Sequence, residues 1–301
     1  MKTLSIVLFA LIVISTGGCA SNDKKAKGTT EQEVYELAQG YLNAKNWNSA
    51  IQTLQLLEEN FPFGTYGEQS QLELIFAHYQ AGNYEEAVAT ADRFIRLHPQ
   101  HRRVDYAYYM RGLASFNQES TFLSSFFGSD NTNKDPGAAR DSFDHFSQFI
   151  QRFPESPYAP DAQKRMVYLR NALARAEIHS ANYYFTRGAY LAALNRGAFV
   201  VENFPNTPAI PDALAVMAQA YYLLGRNELA TDTVEILAHN FPNHPALDES
   251  GKFDEKYISG EKDRSWVSVL TLGMFDRIET KGFDTREIYN PEFIEPPESE
   301  E

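Results

Sequence analysis

NFPNTPAIPDALAVMAQAYYLLGRNELATDTVEILAHNFP, residues 203–242, opens and closes on the same triplet, Asn-Phe-Pro. Inside it, Leu214, Met217, Ala218 and Tyr221 fall at i, i+3, i+4 and i+7, the apolar stripe of one amphipathic helix. Gly225-Arg226-Asn227 turns the chain, and Ala230, Val234 and Leu237 line a second helix. Pro242 ends that helix, because proline has no amide hydrogen for the ladder and disfavours the α conformation in the residue before it. The stretch is one helix–turn–helix unit with a built-in stop.

Working outward, the stop recurs as Asn60-Phe61-Pro62, Leu97-His98-Pro99 and Arg152-Phe153-Pro154, and the five prolines are 37, 55, 51 and 37 residues apart. Each preceding segment repeats the register. Val34, Leu37, Ala38 and Tyr41 are followed by Ala50, Leu54 and Leu57, and Leu74, Ile75 and His78 by Ala87, Ala91 and Phe94; Ala181 and Tyr184 precede Ala193, Gly197 and Val200. The pattern resembles the tetratricopeptide repeat, a helix–turn–helix of about 34 residues. It predicts an all-α superhelical solenoid of five such helix pairs, at about 31–62, 68–99, 103–154, 158–205 and 209–242. Small residues recur where helices would cross: Ala38 and Ala218 on first helices, and Ala50, Ala87, Ala193 and Ala230 on second helices. A bulky side chain there would overpack the crossing at roughly 1–3 kcal/mol.

Two spacings exceed the period. The third unit carries an insertion, 118–135, expected as a loop between its helices and holding Phe122, Leu123, Phe126 and Phe127. Such a loop is either a partner contact or a segment folded back on its own repeat. The other excess, 157–187, has neither Pro nor Gly between Asp161 and Arg187 and predicts one long first helix.

The ends differ from the repeats. Lys2 precedes a largely apolar stretch, 4–14, too short to span a bilayer, and then Ser15-Thr16-Gly17-Gly18-Cys19. Cys19 is the sole cysteine, so no internal disulfide is expected. The segment 1–18 resembles a bacterial lipoprotein signal, which implies lipid attachment at Cys19; the polar segment 19–30 reads as a flexible tether. Thr16 stands where such signals usually carry Leu, and Ala20 is not the Asp that favours inner-membrane retention, so the resemblance implies the periplasmic face of the outer membrane. At the other end, 246–301 holds 15 acidic and 7 basic residues, a large share of the net charge of −13. This acidic extension is expected to be partly disordered, or a docking segment anchored by an amphipathic stretch around Trp266, Leu270 and Phe275. Acidity of this degree argues against nucleic-acid binding.

No phosphate-binding glycine loop, nucleophile elbow or zinc-binding His-Glu-x-x-His occurs. His98 and His101 flank Pro99 with no acidic or cysteine partner nearby in sequence, and Asp130-x-Thr132-x-Lys134 puts a lysine where a calcium loop needs oxygen. The chain reads as a non-enzymatic scaffold without cofactor or metal. In such solenoids first helices line the concave side. Setting them in phase gives an aromatic groove with amide rims: Tyr35, Gln39 and Leu42, then Gln69, Leu72, Phe76 and Tyr79, then Tyr106, Tyr109, Leu113 and Phe116, with Arg102, Arg103 and Arg111 near enough to meet a carboxylate.

Several stretches resemble the BamD family of outer-membrane assembly lipoproteins: Phe61-Pro62-Phe63-Gly64 with Tyr66 and Leu72, the run from Asp92 through Leu97, Asp105-Tyr106, Tyr109-Met110-Arg111-Gly112-Leu113, and Asn195-Arg196. The resemblance covers 1–245. It implies that the N-terminal repeats receive unfolded outer-membrane proteins through their aromatic C-terminal β-signal. It further implies that the C-terminal repeats, at Asn195 and Arg196, dock a POTRA domain of a BamA-like barrel subunit, and that a BamC-like lipoprotein lies along the N-terminal half. The residues alone leave open a periplasmic repeat lipoprotein that coordinates cell-wall enzymes. Replacing Cys19 by serine is expected to release the protein from the membrane fraction; full-length mature protein retained there would rule out the lipid anchor.

Overall fold

A computed structural model describes residues 30–128, 137–259 and 282–285. Among them, ten helices form five hairpins: α1 (Glu31–Asn43) with α2 (Trp47–Asn60), α3 (Gly67–Gln80) with α4 (Tyr84–Leu97), α5 (Val104–Gly128) with α6 (Gly137–Arg152), α7 (Ala159–Thr186) with α8 (Tyr190–Asn203), and α9 (Ile210–Leu223) with α10 (Asn227–Asn240). A single turn, α11 (Lys256–Ser259), follows, and an isolated antiparallel bridge joins Leu247 to Phe253. The chain is an all-α solenoid of five tetratricopeptide-like pairs.

The start of α1 is a capping box: the Thr30 hydroxyl accepts the Glu33 amide at 3.3 Å and the Glu33 carboxylate accepts the Thr30 amide at 2.8 Å. In four of the hairpins, the turn passes through the left-handed region at one equivalent position, with φ of 55° at Lys45, 76° at Gly82, 70° at Gly188 and 71° at Gly225. Glycine takes this conformation without a Cβ penalty, and Lys45 is the exception that carries one.

All five proline triplets build the same exit. The residue before each proline donates its amide to the carbonyl four residues back: Phe61 to Leu57, His98 to Phe94, Phe153 to Phe149, Phe204 to Val200 and Phe241 to Leu237, at 2.7–2.9 Å. It then leaves the helical region, with φ near −130° and ψ near 56° at Phe61 and His98. A following proline ring disfavours the α conformation at this residue, so the helix cannot run on through it.

Packing is tightest where the sequence is smallest. Ala38, Ala50, Ala87, Ala193, Ala218 and Ala230 are fully buried. A Cβ on Gly112 would lie 2.7 Å from the Phe146 ring, and one on Gly197 would lie 2.9 Å from the Ala213 carbonyl oxygen. Each helix packs on the next in sequence, and first helices also touch one another: α3 on α5, α5 on α7, α7 on α9. Among the described residues no comparable contact joins successive second helices. First helices therefore form the inner track of the ladder and second helices the outer one.

The long helix expected over 157–187 is α7, of 28 residues. The insertion needs correction. The loop expected from 118 begins later, because α5 continues to Gly128; 129–136 lie outside the described residues. No Gly or Pro interrupts the chain between Leu113 and Gly128, so nothing local stops the helix sooner. The 1–18 leader, Cys19, Trp266, Leu270 and Phe275 also lie outside the described residues. The extension is not wholly separate from the fold, since Ala246, Phe253, Tyr257 and Phe283 belong to the core of the last repeats.

Gly112→Val should cost about 1–3 kcal/mol in urea unfolding, as overpacking against Phe146 requires. Gly40→Ala, inside α1 with nothing within 4 Å, should instead stabilise by roughly 0.5–1 kcal/mol. Stability should also depend on pH. Burial holds both His78 and His145 below the ordinary 6.5, because the imidazolium would be desolvated. The unfolded chain then takes up protons more readily, so stability is full above 6.5 and falls as pH drops toward the folded-state values. The denaturation midpoint should decline as pH falls below about 6.5.

Candidate client groove and docking surface

The inner face of the first three repeats is organised by two carboxylates. Glu73, on α3, accepts the Tyr35 hydroxyl at 2.9 Å, the Gln39 amide at 2.7 Å and the Gln69 amide at 2.8 Å. The Tyr35 ring lies flat on Tyr66 with centroids 4.3 Å apart. Burial, then the hydrogen bond to Glu73, pushes the Tyr35 hydroxyl above its ordinary range, so it stays a donor. Further along, the Tyr109 hydroxyl donates to Asp161 at 2.8 Å, and the same carboxylate takes a bidentate contact from Arg165 at 2.6 and 3.2 Å. Tyr109 stacks on Tyr158 at 4.8 Å, Tyr106 tilts against Tyr158 at 5.7 Å, and the Arg103 guanidinium sits over Tyr106 at 5.3 Å.

Between these hubs, Phe76 meets Trp47 edge-on at 5.8 Å, and Tyr79 packs on Tyr84 and bonds Asn117. Tyr35, Gln69, Phe76, Tyr79, Tyr106 and Tyr109 are all partly exposed, so rings and amides share one face. Leu72 does not belong to it: at 2 % exposure it packs in the core with Ile75 and Phe94, as do Leu113 and Phe116. One helical step, about 100°, separates the groove side of α3 from its core side. Arg111 is likewise no free cation, since it is buried against Asp92 at 2.7 Å and Gln148 at 3.0 Å. Neither Glu73 nor Asp161 was legible as a hub, because a carboxylate on a helix reads by default as a solvated residue.

A second surface lies on α8. Asn195 is exposed, and Leu191 and Phe199, four residues to either side of it, are 60 % and 41 % exposed. Positions at i, i+4 and i+8 share one helix face, which makes an outward strip of Leu, Asn and Phe. Beside the strip, Arg196 pairs with Glu177 at 2.7 Å, and Arg140 holds the other oxygen of Glu177 at 3.2 Å. Glu177 is nearly buried at 6 % while Arg196 keeps 40 % of its side chain exposed.

The histidines beside Pro99 have a partner the sequence did not announce: Glu68 approaches His98 at 3.1 Å and His101 at 3.5 Å. Among the described residues no group of three or more His, Cys, Asp or Glu is arranged to hold a metal, and no helix is long and apolar enough to cross a membrane.

Residues 27–237 match the family model described as outer membrane lipoprotein, YfiO. The chain is 38 % identical over 256 residues to the outer membrane protein assembly factor BamD of Neisseria meningitidis, covering 83 % of this chain and 96 % of that one. It is 39 % identical over 256 residues to the same factor of Neisseria gonorrhoeae, covering 85 % and 96 %, and 36 % identical over 220 residues to that of Vibrio cholerae, covering 73 % and 91 %. Among solved structures, a Podosopora anserina kinesin light chain with nearly identical TPR-like repeats covers 69 % of this chain and 92 % of its own, at 15 % identity and a TM-score of 0.31. With a matched family model over most of its length and relatives of this identity along nearly their whole chains, the protein belongs to the BamD family of outer-membrane lipoproteins, a family of assembly factors and not of enzymes.

Proposed function

We propose that this chain is a two-ended adaptor of outer-membrane β-barrel assembly. Its N-terminal repeats receive the aromatic C-terminal β-signal of unfolded outer-membrane proteins, and its C-terminal repeats dock a POTRA domain of a BamA-like barrel subunit. A BamC-like lipoprotein would lie along the N-terminal half, and a lipid on Cys19 would hold the whole at the membrane.

The observation that carries the first half is the line of partly exposed rings on the inner face. Tyr35, Phe76, Tyr79, Tyr106 and Tyr109 sit on three successive first helices, and Glu73 and Asp161 fix two of the hydroxyls. Rings held in this way lose little entropy when another aromatic side chain stacks on them, and their polar tips satisfy a peptide main chain. Gln39 and Gln69 supply amides beside them, and Arg103 is exposed at the edge with charge to meet a terminal carboxylate.

The exposed strip of Leu191, Asn195 and Phe199 supports the second half, because large apolar side chains flanking a polar one are the make-up of an interface core. Arg196 adds charge at its margin. Its pairing with Glu177 also decides how it should be tested: Arg196→Glu would set a second carboxylate against a nearly buried one and confuse folding with binding. Arg196→Ala leaves Glu177 bonded to Arg140.

The test is co-purification from detergent-solubilised membranes, paired with peptide binding. Phe199→Ala combined with Arg196→Ala should lower recovery of a POTRA-bearing barrel subunit at least about tenfold, or roughly 1.4 kcal/mol, with helix content unchanged. Tyr109→Ala should weaken binding of a peptide ending in an aromatic β-signal by a similar factor and leave the barrel subunit bound. Recovery of a cell-wall hydrolase in place of any barrel protein would overturn the proposal.

A further inference from the structure

Asp212 stands in the first turn of α9 and has no exposed surface. A buried carboxylate must have its lone pairs filled by donors. Arg175 supplies one at 2.5 Å and His244, itself fully buried, faces the other oxygen at 3.1 Å. The remaining two come from far along the chain. Thr285 donates its amide at 3.0 Å and its hydroxyl at 2.9 Å to the same carboxylate. Burial alone would raise the Asp212 pKa, but the contacts with His244, Arg175 and Thr285 outweigh it and hold the group ionised below its ordinary value.

Each residue from Gly282 to Thr285 is read in turn. A Cβ on Gly282 would come within 2.8 Å of the Asn182 carboxamide, so a side chain there would displace that carboxamide from the Phe283 main chain. The Phe283 main chain is gripped at both ends by Asn182, whose amide donates to the carbonyl at 3.1 Å and whose oxygen accepts the N–H at 3.1 Å. The Phe283 ring is 2 % exposed, 4.9 Å from Tyr257 and 5.9 Å from His244. Asp284 lies 3.7 Å from Arg175, and Thr285 closes on Asp212. Main-chain recognition by a carboxamide, one deep aromatic pocket and charge-specific flanks together make up the recognition of an extended peptide.

We propose that Arg175, Asn182, Asp212, His244 and Tyr257 form a sequence-specific site for an extended Gly-Phe-Asp-Thr peptide, and that the chain's own residues 282–285 occupy it as an intramolecular ligand. The acidic extension is then tied back to the last two repeats, with 260–281 as the connecting segment. A ligand joined by a short tether acts at an effective concentration on the order of millimolar. A free peptide at tens of micromolar therefore meets an occupied site in the unaltered chain.

The experiment uses the full chain and a fluorescent peptide of residues 280–288. Gly282→Val should eject the segment while keeping Arg175, Asn182, Asp212, His244 and Tyr257 in sequence, and Phe283→Ala should do so by a second route. Both variants should bind the peptide saturably while the unaltered protein does not. Peptides carrying Phe283→Ala or Thr285→Val should bind at least tenfold more weakly. Amide exchange at Phe283 and Thr285 should be slow in the unaltered protein and fast in Gly282→Val. Unprotected amides in the unaltered protein, or a peptide that binds neither variant, would overturn the proposal. So would equal binding to all forms. A concentration-dependent dimer of the unaltered chain would assign the segment to a neighbouring copy and so contradict occupancy within one chain.

Discussion

Proline's missing amide hydrogen, applied five times, governs this molecule. Each Phe-Pro or His-Pro ends a second helix at one point, because the residue before the ring cannot remain helical. The last helical amide bond is nevertheless kept, at 2.7–2.9 Å in all five cases, so each stop is sharp but not frayed. A fixed stop fixes the length of the second helix, and the left-handed turn fixes its start. Helices α2, α4, α8 and α10 are each 14 residues long, which is why one crossing geometry can recur.

Recurrent crossings require small residues at recurrent positions, and the fully buried alanines meet that need. The consequence is a ladder whose first helices also touch one another, and that inner track is where partly exposed rings collect. A groove of this kind is held in shape from below by close-packed core and from the sides by carboxylates that fix tyrosine hydroxyls. Rigidity there matters more than depth, since a binding peptide then bears most of the ordering cost alone. The outward strip on α8 is a different kind of surface, with apolar side chains standing exposed on the outer track. We therefore propose that the two faces take two classes of partner, a flexible segment inside and a folded domain outside.

Much of this was legible in the sequence because the helical period and the proline stops agree at every unit. The long α7 could be read from the absence of Pro and Gly. The extent of α5 follows from the same rule, while the excess spacing of the third unit does not by itself say whether the added residues are loop or helix. Leu72 shows the resolution limit of periodicity: one residue's rotation separates groove from core, and which side wins depends on how α3 sits between its neighbours. Glu73, Asp161 and Glu68 were hidden for another reason, since Tyr35, Tyr109 and His98, which they meet, lie far along the chain from them. Contacts such as Thr285 to Asp212, 73 residues apart, leave no local pattern at all.

The account rests on one division of labour, with client on the inner face and barrel subunit on the outer face of α8. Site-specific photocrosslinking in native membranes tests it most directly, with the photoreactive residue placed once at Tyr109 and once at Asn195. The account predicts that position 109 captures unfolded outer-membrane proteins and position 195 captures the POTRA-bearing barrel subunit. Capture of the barrel subunit at 109 with clients at 195, or of the same partner at both, would contradict it.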